Sequence, residues 1–405
     1  MNRTLFFSRC YFILIGISVL SVPFTSLLYF FTTPLLLIVW IIEGDWKTKW
    51  NRLKEPNTLI IIFAFVLFWF INVIGLFYSN DIVRGLMRTY DKLPFLVYPL
   101  VFFTLDKAFF TKEKLYHLFK AFLCVTVIML LICWGNAIIQ FLITKNPHCF
   151  YYIYFSKFFG HPSYCVCIVC IAFCVAFYFL NHAKKNRWLW VILLFFYSIS
   201  IYFFQSRSGV FAYIVILILS LFFYLNNHKK EYGRVAVLFS TVLLIAVMLI
   251  KFFPFRVGEY ANIDHFQDKS FAEEIFETRY DIWQISYKLA MKNKMWGIGT
   301  GYNNECYLSD TDAELINIHT AFINTHNQFL QTFLDHGIFG LFAIVFLVLY
   351  SFYYAIKTKN YLLLMLLICI FINILFESML ERSKGIFTFC LFYGLYIAKF
   401  FSIVR

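Results

Sequence analysis

Long apolar runs recur along almost the whole of this 405-residue chain. Residues of the set AVILMFWYC make up 61% of it and charged residues only 14%, whereas soluble domains carry about 25% charged residues. A helix needs ~20 mostly apolar residues to cross ~30 Å of hydrocarbon, because lipid offers no partner to a free backbone group. The sequence therefore predicts an all-α, polytopic membrane bundle of about twelve transmembrane helices. Their expected limits are 6–22, 26–43, 57–77, 92–106, 117–143, 160–181, 188–205, 209–225, 235–253, 337–356, 361–377 and 386–402.

The Lys and Arg residues between these runs predict the orientation of the bundle. They are more frequent in alternate segments, which the positive-inside rule assigns to the cytoplasm. Both termini are then cytoplasmic, and 254–336 forms one long outer loop. Apolar residues recur at helical spacing between 275 and 289, which predicts an amphipathic helix in this loop. Because no linker or repeat divides the chain, we expect 1–405 to form a single integral membrane domain.

Several classes of function lose their usual sequence signals. The net charge of +13 is explained by membrane topology, so we expect no nucleic-acid partner. The chain has no phosphate-binding loop, G-x-S-x-G or H-E-x-x-H sequence, so the motifs that usually identify ATPases and common hydrolases are absent from it. Gly297, Gly299 and Gly301 lack the spacing of a dinucleotide site and predict a turn that re-enters the bundle.

The positions of the cysteines favour a packing role over metal binding or catalysis. Four of them lie between 165 and 174 without a nearby His or carboxylate, so we expect them to pack as small apolar residues in a helix. Cys149 and Cys306 both fall on the outer side in this topology. They could pair in an oxidising compartment, but the sequence holds no geometry that decides it.

Arginines at the outer ends of the predicted helices are candidate ligands for an anion. Arg207 stands between two spans joined by almost no loop, where a guanidinium needs an anionic or carbonyl partner. Arg84 and Arg88 are four residues apart, Arg279 lies on the amphipathic helix, and Arg382 follows two glutamates. Converging guanidinium groups suit a diphosphate through forked, charge-assisted hydrogen bonds. The alternative for each is snorkelling or pairing with a local carboxylate.

His326 is the candidate base, because it lies just before the span that follows the long outer segment. An imidazole can take a proton from a sugar hydroxyl, and the adjacent Asn327 would orient it or bind substrate. His319 and His336 are close enough in sequence to compete for this role. The alternative is an interfacial packing role, which is common for a His at a membrane boundary.

Three segments resemble the O-antigen ligase and O-antigen polymerase superfamily. THNQFLQTFLDHGIFGLFAIVFLVL, which begins at Thr325, resembles its His-Asn signature and the following apolar helix. The Ser-Arg-Ser-Gly sequence around Arg207 and the segment TRYDIWQISYKLAMKNKMWGIGTGYNN around Arg279 are similar to two further motifs of that superfamily. Their order and spacing, together with the expected topology, carry the resemblance.

The resemblance implies a glycosyltransferase of the bacterial inner membrane with a periplasmic active site. Such an enzyme transfers glycan from undecaprenyl diphosphate to a hydroxyl acceptor, lipid A core in a ligase, with inversion and without a cofactor or metal ion. Arg207 and Arg279 would then hold the diphosphate, and His326 would activate the acceptor hydroxyl. Arg88 and Arg84 would extend the cationic site.

Other functions remain open from the sequence. A polymerase of the same superfamily would use a lipid-linked glycan as acceptor, and a protein O-glycosylating enzyme would use a protein. Twelve spans would also permit a secondary transporter, but transporters place ionisable residues near the bilayer midplane, where this chain has few. A membrane scaffold is a further alternative, and it would not need His326.

Overall fold

A computed structural model describes residues 3–24, 26–105, 109–227, 271–301 and 324–398 of the chain. These residues form fifteen α-helices and no strand, which confirms the all-α prediction for this part of the chain. The helices are α1 (Arg3–Ser21), α2 (Ser26–Glu43), α3 (Trp46–Leu53), α4 (Pro56–Ile74), α5 (Ile82–Asp91), α6 (Pro94–Thr104), α7 (Lys112–Thr144), α8 (Tyr152–Phe155), α9 (Pro162–His182), α10 (Arg187–Phe204), α11 (Arg207–Asn227), α12 (Phe271–Lys292), α13 (Gln328–Lys357), α14 (Tyr361–Phe376) and α15 (Ser383–Ile397).

The described helices include six that are long and apolar enough to cross a membrane. A seventh is added if the pair Leu28–Glu43 and Trp46–Leu53, bent by 112°, counts as one span. Shorter apolar helices occur at Leu5–Ser21, Tyr361–Phe376 and Ser383–Ile397. The protein is therefore a multi-pass membrane protein, while the number of twelve spans stays a prediction. The predicted span at 235–253 lies outside the described residues.

Helix α6 is shorter than the run predicted at 92–106. It has 11 residues, about 16 Å at 1.5 Å per residue, which is roughly half the thickness of the hydrocarbon layer. Pro94 begins the helix, which suits the first turn, and Pro99 lies within it. Most of its side chains are buried, between α4 and α15. This segment is an interior half-length helix.

Helix α9 lies at the centre of the bundle and is the most enclosed of the candidate spans. Its cysteines are fully buried, and Cys167 Sγ lies 3.8 Å from Cys369 Sγ of α14. These thiols fill space between two helices, in the way that buried cysteines usually do. Cys306, the expected partner of Cys149, lies outside the described residues, so their pairing stays a prediction.

Helix α13 breaks at Gly337, where the backbone is left-handed with φ 61° and ψ −155°. The segment after α12 takes up the carbonyl groups that the break leaves open. Ile298 N donates to Leu334 O at 3.1 Å, and Gly299 N donates to Asp335 O at 2.9 Å. A Cβ atom at Gly337 would collide with the backbone of the same segment. The predicted turn at 297–301 thus packs on the break and holds α12 beside the start of α13.

Candidate active site

The segment that leads into α13 holds His326 in a fixed turn. Its backbone is left-handed, with φ 48°, and its amide donates to Asn324 Oδ1 at 3.1 Å. The indole of Trp283, on α12, donates to Thr325 O at 2.7 Å, and Thr325 N donates to Gln331 Oε1 at 3.2 Å. Helices α12 and α13 therefore both position the residue before His326.

Asn327 is the N-cap of α13. Its Oδ1 accepts from Leu330 N at 3.0 Å, which satisfies one of the amides at the start of the helix. Its Nδ2 donates to Leu375 O at 3.2 Å, near the end of α14. Asn327 thus ties two helix ends together, and its amide orients the loop on which His326 stands.

Glu377 brings two of the candidate residues together. Its Oε2 lies 3.0 Å from His326 Nδ1, and its Oε1 lies 3.5 Å from Arg279 Nη2. The Glu377 side chain is 18% exposed, Arg279 29% and His326 37%, so solvent or a ligand can reach the imidazole and the guanidinium. This pairing could not be predicted from the sequence, because Glu377 lies 51 residues after His326 and is closer in sequence to Arg382.

This arrangement suits proton transfer beside an anion. When Nδ1 of His326 carries a proton and donates to Glu377, Nε2 is left as an acceptor. The contact of Arg279 with the carboxylate is long, and a guanidinium has five N–H donors, so donors remain for an anionic ligand. Within the described ranges, no group of three or more His, Cys, Asp and Glu side chains is arranged to hold a metal ion.

Arg207 begins α11 at the same end of the bundle. The preceding Gln205 has a left-handed backbone, with φ 47°, which turns the chain sharply between α10 and α11. The next residue, Ser208, donates to Asn373 Oδ1 at 3.1 Å, and Glu377 N donates to Asn373 O at 2.8 Å. Buried Asn373 therefore connects the start of α11, with the exposed Arg207, to the end of α14 that bears Glu377.

Arg88 and Arg84 lie on α5, apart from the contacts of Glu377. Arg88 Nη1 donates to Thr300 O at 3.1 Å, so this side chain is fastened to the turn at 297–301. Arg84 lies nearer the solvent, with Nε 3.9 Å from Asp81 Oδ2 and its side chain 42% exposed. The two arginines share a helix face, as their spacing indicated, but they have different surroundings.

A largely buried network of polar side chains contacts the start of α13. Lys92 is 2% exposed, and its Nζ lies 2.6 Å from Glu381 Oε2 and 2.7 Å from Asn72 Oδ1. Gln328, two residues after His326, donates to Glu381 Oε1 at 2.8 Å. A buried charge needs such a partner, since an isolated one is costly. The network was not predicted, because nothing in the sequence distinguishes Lys92 from an ordinary lysine in a loop.

The competing histidines differ from His326 in their surroundings. His336 is buried, and its Nε2 lies 2.9 Å from Asn72 Oδ1, within the same polar network. This burial separates it from any substrate in the exposed loop. His319 lies outside the described residues.

Comparison with known protein families agrees with the sequence motifs. Residues 190–345 match the family model described as O-antigen ligase. The resemblance to the O-antigen ligase and polymerase superfamily is confirmed. The matched range covers less than half of the chain, and it includes Arg207, Arg279 and His326. With the apolar helices, it indicates a membrane glycan enzyme of the O-antigen ligase or polymerase type. No curated protein matches the chain at a significant level.

Proposed function

We propose that the protein is a glycosyltransferase of the bacterial inner membrane. It transfers O-antigen-type glycan from undecaprenyl diphosphate to a hydroxyl of lipid A core at the periplasmic face. The observation that carries the proposal is the contact of His326 and Arg279 with the two oxygens of Glu377. Glycosyl transfer to a hydroxyl needs a base for the attacking oxygen and positive charge for the departing diphosphate. The carboxylate of Glu377 contacts a candidate for each role: His326 for the base and Arg279 for the positive charge.

In the proposed reaction, the acceptor oxygen attacks the anomeric carbon opposite the diphosphate, which inverts its configuration. Nε2 of His326 takes the acceptor proton as the bond from the anomeric carbon to the diphosphate oxygen breaks. The diphosphate leaves with the electron pair, and Arg279 stabilises its charge. Glu377 holds the imidazole and stabilises the imidazolium that forms. The scheme uses no cofactor and no metal ion.

The other arginines extend the cationic end of the bundle. Arg207 lies at the N-terminus of α11, where the helix dipole also favours an anion, and we assign it to the diphosphate. Arg88 supports the site through the turn at 297–301, while exposed Arg84 adds charge at the rim. Asn327 keeps the loop of His326 in place.

Contacts at the opposite end of the bundle support the proposed orientation. Arg3 donates to Glu43 O at 3.1 Å, Arg52 to Thr104 O at 2.7 Å and Lys357 to Asn57 Oδ1 at 3.2 Å. These basic residues all belong to segments that the positive-inside rule assigns to the cytoplasm. We propose that the end with His326 faces the periplasm, within a single domain 1–405 whose long outer loop is 254–336.

The proposal is tested with purified protein, an undecaprenyl-diphosphate-linked glycan and a lipid A core acceptor. His326→Ala should abolish transfer while the protein still inserts into the membrane and purifies normally. His117→Ala is the matched control, because His117 pairs with Glu113 at 3.9 Å near the start of α7 and both are largely exposed. Full activity of His326→Ala would remove this residue from the mechanism.

Ligase and polymerase differ in what a deletion strain accumulates. Loss of all glycan on lipid A core, with lipid-linked polymer accumulating, is expected for a ligase. A single repeat that remains attached to lipid A core would indicate the polymerase of the same superfamily. A gel of surface glycan separates the two outcomes.

A further inference from the structure

The geometry points to a saccharide-binding subsite between α2, the junction of α5 and α6, and the start of α15. It would hold one sugar unit of the oligosaccharide whose end reacts at His326, and in this respect it rests on the proposed function. The structure has a cavity of about 400 Å³ there. The lining residues used in the argument are Phe30, Thr33, Tyr90, Asp91 and Ser383.

Polar groups in this cavity match the hydroxyl groups of a sugar. Asp91 offers carboxyl oxygens, Ser383 offers a hydroxyl that can donate or accept, and the Thr33 hydroxyl, which donates to Tyr29 O at 2.9 Å, can still accept. Partial burial raises the pKa of the Asp91 carboxyl above its ordinary value, while Lys92 and Arg382 act in the opposite direction. A partly dehydrated carboxyl gains from a hydroxyl partner, because an unmet hydrogen bond at such a place is unfavourable.

Two aromatic side chains, Phe30 and Tyr90, line the same cavity. The ring centroids of Phe30 and Tyr90 lie 4.2 Å apart, and the Tyr90 hydroxyl donates to Phe30 O at 2.7 Å. Phe30 nevertheless remains 43% exposed. A partly exposed aromatic ring that its neighbours already hold in place offers a packing surface to the C–H groups of a pyranose at little cost in conformational entropy.

The polar lining of the cavity favours a sugar over the acyl chain of a phospholipid. An acyl chain would give the partly buried carboxyl of Asp91 no hydrogen-bond donor. A neutral, hydroxyl-rich ring satisfies both the polar and the aromatic walls.

The cavity lies close to the candidate active site along two segments of the chain. Asp91 precedes Lys92, which pairs with Glu381 at 2.6 Å, and Glu381 contacts Gln328 near His326. Ser383 follows Glu377 by six residues, which limits their separation to about 20 Å. A glycan that reaches His326 with its end can therefore place a nearby sugar unit in the cavity.

The test compares acceptors and donors of different glycan length in the purified full-length protein. We expect Asp91→Ala and Phe30→Ala to raise the KM of either the long acceptor or the long donor about tenfold, with kcat within about twofold. The corresponding single-sugar substrate should be unaffected, and the substrate whose KM changes identifies the chain that occupies the cavity. Ile38→Ala is the matched control, since Ile38 is 48% exposed on the same helix and does not line the cavity.

Equal KM values for long and short substrates in both variants would overturn the subsite. So would a loss of co-purifying phospholipid in native mass spectra without a change in KM, which would identify a lipid site. If Asp91→Ala fails to fold, Asp91→Asn keeps its shape and tests the charge. If the wild-type protein transfers no glycan, the proposed function fails, and titration calorimetry with free core oligosaccharide still tests the cavity by comparing wild type with Phe30→Ala.

Discussion

Glu377→Gln tests the candidate active site most directly. The substitution keeps the size of the side chain and removes the charge that lies 3.0 Å from His326 Nδ1. In the proposed reaction the imidazole becomes positively charged only as it takes the acceptor proton. The carboxylate therefore stabilises the transition state more than the ground state, and its loss should appear in kcat.

The expected magnitude follows from the distance and the exposure. Two unit charges 3.0 Å apart interact by about 5 kcal/mol at an effective dielectric constant near 20. His326 is 37% exposed, so solvent screening reduces this to roughly 2–3 kcal/mol. We therefore expect kcat to fall roughly 30- to 150-fold.

The assay is the initial rate of transfer from a lipid-linked glycan to a fluorescent acceptor at saturating donor. Glu113→Gln is the matched control, because Glu113 forms an exposed pair with His117 far from the site, and it should leave the rate unchanged. Equal unfolding temperatures of the two variants would show that the effect is catalytic. A Glu377→Gln enzyme with more than half of the wild-type kcat would refute the role of this carboxylate.

Three further substitutions probe the surroundings of the site. Lys92→Met leaves the partly buried carboxylate of Glu381 without its counter-charge, and we expect a loss of about 3 kcal/mol in stability, seen as a lower unfolding temperature in detergent. Gly337→Ala should lower the unfolding temperature more than Gly160→Ala, since both glycines have positive φ but only at Gly337 does the new Cβ meet backbone; equal effects would contradict the close approach. Arg84→Ala should keep more than half of the transfer rate and Arg88→Ala less than half, because Arg88 donates to Thr300 O in the turn at 297–301 while the Arg84 side chain is 42% exposed; the reverse order would contradict these assignments.

The helices could be predicted from the sequence because the signal for a membrane helix is local. A run such as 160–181 carries enough apolar residues to predict α9 without reference to the rest of the chain. The amphipathic pattern between 275 and 289 likewise predicted α12, and Ile285 and Leu289 pack against Leu334 of α13. Helix α6 is shorter than the run predicted at 92–106, because its length depends on packing between neighbouring helices as well as on its own composition.

The partners within the site could not be predicted in this way. Arg279, His326 and Glu377 come from three separate parts of the chain, and nothing in their spacing shows that they share one contact. The resemblance named Arg279 and His326 as a group, but it gave no partner for either. Lys92 shows the same limit, since an exposed and a buried lysine look alike in a sequence.

The place of the site, in contrast, follows from the physics of the membrane. Irregular backbone and charged side chains are tolerated only where helices end or where protein encloses them. The end of α10 and the start of α11 meet the end of α14 through Ser208 and Asn373, and the start of α13 meets it through Asn327. Several helix ends therefore converge on Glu377. Each of these ends carries a polar residue or backbone groups that are not bonded within its helix, and such groups are unfavourable in an apolar bundle interior. The proposed reactive centre, which would have to hold a diphosphate, a proton acceptor and a lipid-borne sugar together, would lie at this junction.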